Sequence, residues 1–184
     1  MNLNRHTIVT CALTILDTYG LPDVTMRRIA SALSVQPSAL YWHFASKQEL
    51  LAAVAEEILH DLPRLSSGES TRLRLWAARL HGVLLRHRDG AEVVWSVLAL
   101  TPWEEGIGLT IEQRLAESGL TASLAHSAAQ GLLNLVLGQA LSADQRRQAQ
   151  LLNVTTLTDA DDPATTLDDT VAIFVAGIDQ ARSC

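Results

Sequence analysis

Two short stretches of the sequence carry residues that enzymes use for metal binding or phosphoryl transfer. Glu57 and His60 have the Glu-x-x-His spacing that supplies half of a di-metal carboxylate site, but no second such pair exists. The triplet at 87–89, His-Arg-Asp, has the order of a kinase catalytic loop without the asparagine and glycine-rich strand that this chemistry needs. Other nucleophile, P-loop and Cys-x-x-Cys motifs are missing too. We therefore expect no enzyme, no metal site and no cofactor, and a small all-helical enzyme is the disfavoured alternative.

A run of ring-bearing residues, Tyr41, Trp42, His43 and Phe44, suits a different chemistry. Four consecutive side chains cannot all face inward on one helix. Leu40 and Phe44 are four positions apart and are expected in the core, which leaves Tyr41 and Trp42 exposed. A tyrosine hydroxyl can bind phosphate, and apolar rings can contact thymine methyl groups. The pattern therefore indicates a helix that contacts DNA.

The elements that position this run are predicted to be helices, because apolar residues recur at helical spacing and no segment alternates with period two. A first helix spans residues 5–19 and ends at Gly20. Thr25 caps a short second helix that ends near residue 33. After a turn, proline opens a third helix at 37–44. Three short helices with a tight turn before the third match the helix-turn-helix, so we predict an all-α protein that begins with this motif.

The rest of the chain is predicted to form a larger helical domain. Residues 63–70 are rich in helix breakers, and Ser46 and Glu49 form a capping box for the helix before them. We therefore expect a DNA-binding domain at 1–47, a connecting helix at 48–62, and a ligand-binding and dimerisation domain at 63–184. The later helices are predicted at 71–87, 90–100, 101–118 (from a Thr101–Glu104 capping box), 124–141 (after a Thr121 cap) and 167–181, with a polar loop at 143–168.

The stretch 124–141 is apolar on nearly every side, and a helix of this kind must be buried on every side. In a small domain this predicts a subunit interface. Gly131 and Gly138 would let two helices approach closely. Together with the last helix, the stretch predicts a four-helix bundle between the subunits of a homodimer.

Charge is distributed unevenly over a chain whose net charge is −6. Residues 1–47 carry a net charge of +2 and the remainder −8, which suits a protein that touches DNA with one end only. Two cysteines, Cys11 and Cys184, are too few for a disulfide framework and predict reduced thiols. No signal peptide or membrane-spanning stretch is recognised, so we expect a cytoplasmic protein without a membrane partner.

The segment 25–51, TMRRIASALSVQPSALYWHFASKQELL, resembles the TetR family of bacterial regulators. The pattern T-x-R-x-[IL]-A, a turn, L-Y-W-H-F and S-K-x-x-L-L carries the resemblance. LLRHRDGAEVV at 84–94 and the GIDQ segment near the C-terminus are similar to the tetracycline-repressor branch. The resemblance implies a dimeric repressor that binds a two-fold-related operator in double-stranded DNA and leaves it when a small-molecule effector binds. A helical DNA-binding regulator without a small-molecule ligand is the alternative.

The resemblance also assigns DNA contacts to individual residues. It implies that Thr25 binds phosphate, that Arg27 reaches a base or phosphate, and that Tyr41, His43 and Lys47 hold the backbone. The residues that would face base edges differ from those of the tetracycline repressors, so we expect a different operator. The full set of expected DNA contacts is Thr25, Arg27, Arg28, Gln36, Pro37, Ser38, Ala39, Tyr41, Trp42, His43 and Lys47.

Three tryptophans in the central helices favour an aromatic ligand pocket over an ordinary core. The tetracycline branch holds a magnesium-bound drug through a histidine and an asparagine, and an ungapped alignment puts Val94 and Trp76 at these positions. Since valine offers no ligand to a hard cation, we expect a metal-free, largely apolar or aromatic effector. The expected ligand-binding residues are Trp76, Leu80, Val94, Trp95, Leu98 and Trp103.

Overall fold

The computed structural model describes residues 3–65, 70–154 and 163–182, and all regular elements within these ranges are helical. This confirms the all-α fold that the sequence predicted. Short 3-10 helices at Leu21–Asp23 and Trp103–Glu105 join two pairs of helices. The α-helices are α1 (Arg5–Tyr19), α2 (Met26–Ala32), α3 (Pro37–Tyr41), α4 (Lys47–Leu59), α5 (Ser70–Leu84), α6 (Gly90–Leu98), α7 (Ile107–Glu117), α8 (Ala122–Leu151) and α9 (Pro163–Arg182).

Helix α1 has the bounds that the sequence predicted, and Gly20 ends it. Gly20 has a φ of +93°, a conformation that favours glycine, and a Cβ there would lie 2.8 Å from Asp89 Oδ2. Tyr19, the last residue of α1, is half-exposed. Its ring packs beneath the guanidinium of Arg28, whose Cζ lies 3.8 Å from the ring centroid.

Side-chain caps fix the starts of three later helices where the sequence predicted them. The Thr25 hydroxyl accepts a hydrogen bond from Arg28 N–H at 3.1 Å, and Ser46 Oγ accepts one from Glu49 N–H at 3.1 Å. Thr121 Oγ1 accepts one from the N–H of residue 124 at 3.4 Å. These bonds satisfy backbone donors that a helix start leaves without partners.

Helix α4 connects the N-terminal three helices to the rest of the chain. It packs against α1 on one side and against α5 and α6 on the other. Buried apolar side chains of α4, among them Leu50, Val54 and Ile58, supply this contact. A displacement of α4 would therefore be felt at both ends of the molecule.

The predicted end of α5 and the predicted start of α7 are wrong. Helix α5 ends at Leu84, three residues earlier than expected. The Thr101 capping box does not form, because the Thr101 hydroxyl donates to the Val97 carbonyl at 2.8 Å. A 3-10 helix and Gly106 then separate this turn from α7, which begins at Ile107.

The largest correction concerns the polar loop expected from residue 143. Helix α8 continues to Leu151, so the loop prediction is wrong for 143–151. Asp144 lies in the interior and accepts a hydrogen bond from Asp89 N–H at 3.0 Å. Polar residues of this stretch therefore have partners inside the protein. The last helix starts at Pro163, four residues before the predicted start.

Some expectations lie outside the described residues. They include residues 66–69 of the linker at 63–70, the central part of the predicted loop, and Cys184. Among the described residues, no helix is both long and apolar enough to cross a membrane.

Candidate nucleic-acid interface and cleft

A tight turn between α2 and α3 sets the direction of the third helix. Ser34 has a φ of +55°, and Val35 N–H donates to the Ala30 carbonyl at 2.9 Å, which closes the end of α2. Pro37 then occupies the first position of α3, where its missing N–H costs no hydrogen bond. Leu40 is fully buried and anchors this short helix to the core.

The outer surface of α3 is as aromatic as the sequence predicted. Tyr41 is 53% exposed and Trp42 is 90% exposed, whereas Phe44 is fully buried. An indole left almost entirely in water at the end of a five-residue helix has no role in the core of this chain. The other residues predicted to face DNA are exposed at Gln36, Pro37 and Ser38 and partly buried at Ala39 and His43.

The basic residues beside α3 have different surroundings. Arg27 is exposed at the start of α2. Arg28 is ion-paired with Asp23 and stacked on Tyr19, so its guanidinium is already engaged within the chain. Lys47 is partly buried at the first position of α4. Of these cations, Arg27 and Lys47 have no ion-pair partner among the residues that the structure describes.

Arg5 and Glu49 fix the C-terminal end of α3; the sequence interpretation missed Arg5 and identified Glu49 only as part of a capping box. The Arg5 guanidinium donates to the His43 carbonyl and to Glu49 Oε1, the latter at 2.9 Å, and its Cζ lies 4.1 Å from the Phe44 ring centroid. Glu49 also accepts from Ala45 N–H at 2.7 Å. The Arg5 hydrogen bond, followed by the backbone one, lowers the pKa of Glu49. The Ser46–Glu49 capping box was the available signal, but it did not point to Arg5.

A polar network joins α1 to the turn before α6. Asp17 in α1 accepts hydrogen bonds from Arg88 N–H at 3.2 Å and pairs with His87 Nδ1 at 3.1 Å. Asp89 accepts from Leu21 N–H and, through its other oxygen, from Gln148 Nε2 of α8 at 2.5 Å. The His-Arg-Asp triplet thus forms a junction between the N-terminal helices and α8.

A cleft of about 290 Å³ lies between α6, the Trp103 turn and α8. Three of the residues predicted to bind ligand line it: Trp95, Leu98 and Trp103. Gln130 and Asn134, one helical turn apart on α8, also line it and were missed by the sequence interpretation. Their four-residue spacing within the mostly apolar stretch 124–141 was the available signal. The lining is completed by Ala99, Leu133 and Leu137.

The other three predicted ligand residues are buried and do not line this cleft. Trp76, Leu80 and Val94 belong to the apolar core. Trp76 donates its indole N–H to the Pro63 carbonyl at 2.9 Å, which satisfies the polar edge of a core tryptophan. The ungapped alignment assigned these residues to a pocket by sequence position alone, and it did not take into account which face of each helix packs into the core.

The indole of Trp103 is held from several directions. Its N–H donates to Glu112 Oε2 at 2.5 Å, and the same oxygen pairs with His126 Nδ1 at 2.8 Å. The Trp103 and His126 rings meet edge to face at 4.8 Å. Gly108 lies against the six-membered part of the indole, where any Cβ would overlap the ring. The pKa of Glu112 is lowered by the hydrogen bond from His126 first and by that from Trp103 second.

An apolar groove of about 350 Å³ runs between α8 and α9. Ile173 on its rim is 75% exposed, and Leu124 is exposed as well. Gly131 has a different role from the predicted one, because the Phe174 ring of α9 in the same chain occupies the space beside it. Gly138 has open space beside it. Within the described ranges, no three His, Cys, Asp or Glu side chains are grouped so as to hold a metal.

An exposed third helix behind a tight turn, joined through α4 to a helical body with a cleft, defines a helix-turn-helix protein. The family description "Bacterial regulatory proteins, tetR family" matches residues 8–54. The class C tetracycline repressor of Escherichia coli is 31% identical over 161 residues, which cover 81% of this chain and 73% of that repressor. The chain belongs to the TetR family of bacterial regulators.

The extent of similarity differs among the relatives. The class D tetracycline repressor of Escherichia coli is 41% identical over 96 residues, which are 50% of this chain and only 44% of that repressor. The crystal structure of BioQ with its double-stranded DNA operator has a TM-score of 0.79 and 30% identity, covering 96% of this chain and 98% of BioQ. The Q116A variant of TetR from Acinetobacter baumannii AYE, in complex with minocycline, has a TM-score of 0.82 and 27% identity over the full length of both chains.

Proposed function

We propose that this protein is a ligand-responsive transcriptional repressor. It binds a two-fold-related DNA operator as a homodimer, and a small uncharged aromatic effector releases it. The observation that carries this proposal is the exposed Tyr41–Trp42 surface of α3, which lies outside the core of a TetR-family chain. BioQ, a structural relative over nearly the whole length, was crystallised with its operator.

The proposed interface assigns separate roles to the two sides of α3. Residues 36–39 at its N-terminal end face base edges in the major groove and set the sequence preference. Tyr41, His43 and Lys47 contact phosphates, and Trp42 adds apolar contact. Arg27 approaches from the start of α2. Thr25 and Arg28 act mainly by holding α2, because the threonine hydroxyl caps the helix and the arginine is ion-paired.

Dimerisation follows from the groove between α8 and α9. A large, mostly exposed Ile173 beside a concave apolar surface is unfavourable in water and favourable against a second copy of the same groove. A two-fold axis there would bring four helices together. It would also set the spacing of the two α3 helices, and this spacing must match successive major grooves. The DNA-binding, connecting and ligand-binding parts then correspond to residues 1–47, 48–62 and 63–184.

The cleft supports an effector over a regulator that lacks one. Two indoles, four aliphatic side chains and two carboxamides line it, and none of these carries a charge. A hard cation would find no carboxylate or imidazole among the lining residues, so the effector is proposed to bind without metal. Release requires that the effector bind the DNA-free conformation more tightly than the DNA-bound one. Helix α4 and the Asp89 junction connect the cleft side of the molecule to α3.

Operator selection from random duplex DNA, followed by fluorescence anisotropy with the selected duplex, tests the proposal. The full-length protein is expected to enrich a two-fold-related sequence, and Arg27→Ala is expected to weaken binding. Arg79→Ala is the matched control, since Arg79 is exposed on α5 away from α3. A screen of aromatic compounds without magnesium should then find ones that raise the melting temperature and dissociate the duplex. Failure to enrich any sequence would overturn the proposed function, and enrichment without any releasing compound would favour the ligand-free regulator.

A further inference from the structure

Three contacts of Trp103 determine the shape of one wall of the cleft. A tryptophan in a short 3-10 turn has little helical packing to hold it, and such a ring would adopt several rotamers. Here the indole N–H donates to Glu112, the six-membered ring lies against Gly108, and the indole meets the His126 ring edge to face. These partners belong to α7 and α8, which pack extensively against each other. The ring is therefore fixed relative to α7 and to α8, and α8 forms one side of the cleft.

Glu112 is the central member of this group. One of its oxygens, Oε2, accepts from Trp103 Nε1 and lies 2.8 Å from His126 Nδ1. The two donors fix the orientation of the Glu112 carboxylate. Because this group is ionised, its hydrogen bonds are stronger than those between neutral groups. If Glu112 lost its acceptor oxygen, the indole N–H would lose its hydrogen bond, and other rotamers of Trp103 would become more favourable.

The remaining walls of the cleft define what could lie against the fixed ring. Trp95 offers a second indole, and Leu98 offers apolar contact. Gln130 and Asn134 present carboxamides, which can both donate and accept hydrogen bonds. No lining side chain is charged, so a charged ligand would be desolvated without compensation. The volume of about 290 Å³ suits a molecule of two or three rings.

We infer that Glu112 and His126 are positioning residues that hold Trp103 as a preset wall of the cleft, and that this wall makes the cleft selective for flat, uncharged aromatic molecules. The inference rests on the proposed function of the cleft as the effector site. Gly108 also contributes to the position of Trp103, because only a residue without a side chain leaves room for the indole. Preorganisation of this kind lowers the ordering cost of binding.

Two measurements on the full-length protein test the inference. The first follows the Trp103 indole N–H in a nitrogen–proton NMR correlation spectrum, assigned by its loss in Trp103→Phe. The second is the affinity for N-phenyl-1-naphthylamine, a neutral aromatic fluorescent probe. Glu112→Leu is expected to move the Trp103 signal upfield and to weaken probe binding roughly tenfold, as expected for one hydrogen bond to a charged group. Glu112→Gln retains an acceptor oxygen and should keep the affinity within about twofold.

Controls separate positioning from general damage. Glu105→Leu removes an exposed carboxylate from the same 3-10 turn and should change neither measurement. An unmoved Trp103 signal in Glu112→Leu would overturn the inference, as would a moved signal with unchanged probe affinity. Absence of saturable probe binding to the wild-type protein would overturn the assigned ligand class. If probe and signal behave as expected but no operator is bound, the proposed function fails while the cleft assignment stands.

Discussion

The carboxylate of Asp89, in the turn before α6, accepts a hydrogen bond from the backbone N–H of Leu21 at 2.7 Å. The bond spans 68 residues of sequence and joins the segment after α1 to the body of the protein. Asp89 is buried, and its other oxygen is bound by Gln148 of α8. If the N-terminal helices move relative to α8, either this hydrogen bond breaks or the turn that contains Asp89 moves with them.

Asp89→Asn is expected to destabilise the protein by about 1–3 kcal/mol, because an amide replaces a buried carboxylate that accepts from two partly buried donors. The substitution isolates the charge, since Asp89 has a φ of +55° and asparagine also tolerates this conformation. Urea unfolding followed by circular dichroism measures the change. Asp169→Asn, at an exposed site on α9, is the control and should have no effect. Equal stability of the two variants would show that the junction contributes nothing to folding.

Lys47→Ala is expected to weaken binding to all DNA sequences similarly and to reduce the salt slope by about 1, because one phosphate contact is lost. Ser38→Thr or Ala39→Ser should instead change the preferred sequence, because these residues lie in the first turn of α3, where Ser38 is exposed and Ala39 is partly buried. Anisotropy titrations between about 50 and 200 mM salt measure the slope. Arg79→Ala provides the comparison for loss of one positive charge. An unchanged salt slope in Lys47→Ala would show that Lys47 does not contact a phosphate.

Local signals in the sequence predicted the N-terminal part well. Thr25 and Ser46 cap their helices within three residues, so their roles depend only on neighbours in the chain. Exposure of Tyr41 and Trp42 followed from helix geometry, since consecutive side chains point in different directions. The start and end of α1 are fixed in the same local way.

What sequence reasoning missed depends on contacts between distant residues. Asp144 looked like a loop residue, but its partner Asp89 is 55 positions away. Trp76 and Trp103 were equivalent as candidate pocket residues, and only packing decides that the first belongs to the core. Glu112 has no local feature that marks it as the partner of Trp103. Polar residues that bind one another inside a helical body cannot be told from solvated ones by periodicity.

Ile173→Glu is expected to convert the dimer to a monomer without unfolding it. The side chain is 75% exposed in the single chain, so the substitution removes no core packing, but two carboxylates would be buried across a two-fold axis. Sedimentation at micromolar concentration measures the association state. Leu100→Glu is matched in exposure, at 76%, and lies two residues after α6, outside the groove, so this variant should remain dimeric. A dimeric Ile173→Glu protein would place the interface elsewhere.

The ion pair between Arg5 and Glu49 predicts a pH dependence of stability. The folded state lowers the pKa of Glu49 below its ordinary value of 4.5, mainly through the Arg5 hydrogen bond. A lowered pKa means that the unfolded chain binds the proton more tightly than the folded one. The stabilisation is therefore fully present above about pH 4.5 and is lost as pH falls through the lower folded value.

Glu49→Gln should accordingly be less stable than the wild type at pH 7, and the difference should shrink as the pH is lowered toward 3. The cause is that protonation removes the same charge from the wild-type side chain that the substitution removes at every pH. Urea unfolding at several pH values measures this convergence. Glu56→Gln, at an exposed position of the same helix, controls for the loss of one negative charge and should follow the wild type throughout. A constant difference between Glu49→Gln and wild type from pH 7 to 3 would mean that the Arg5 pairing does not stabilise the end of α3.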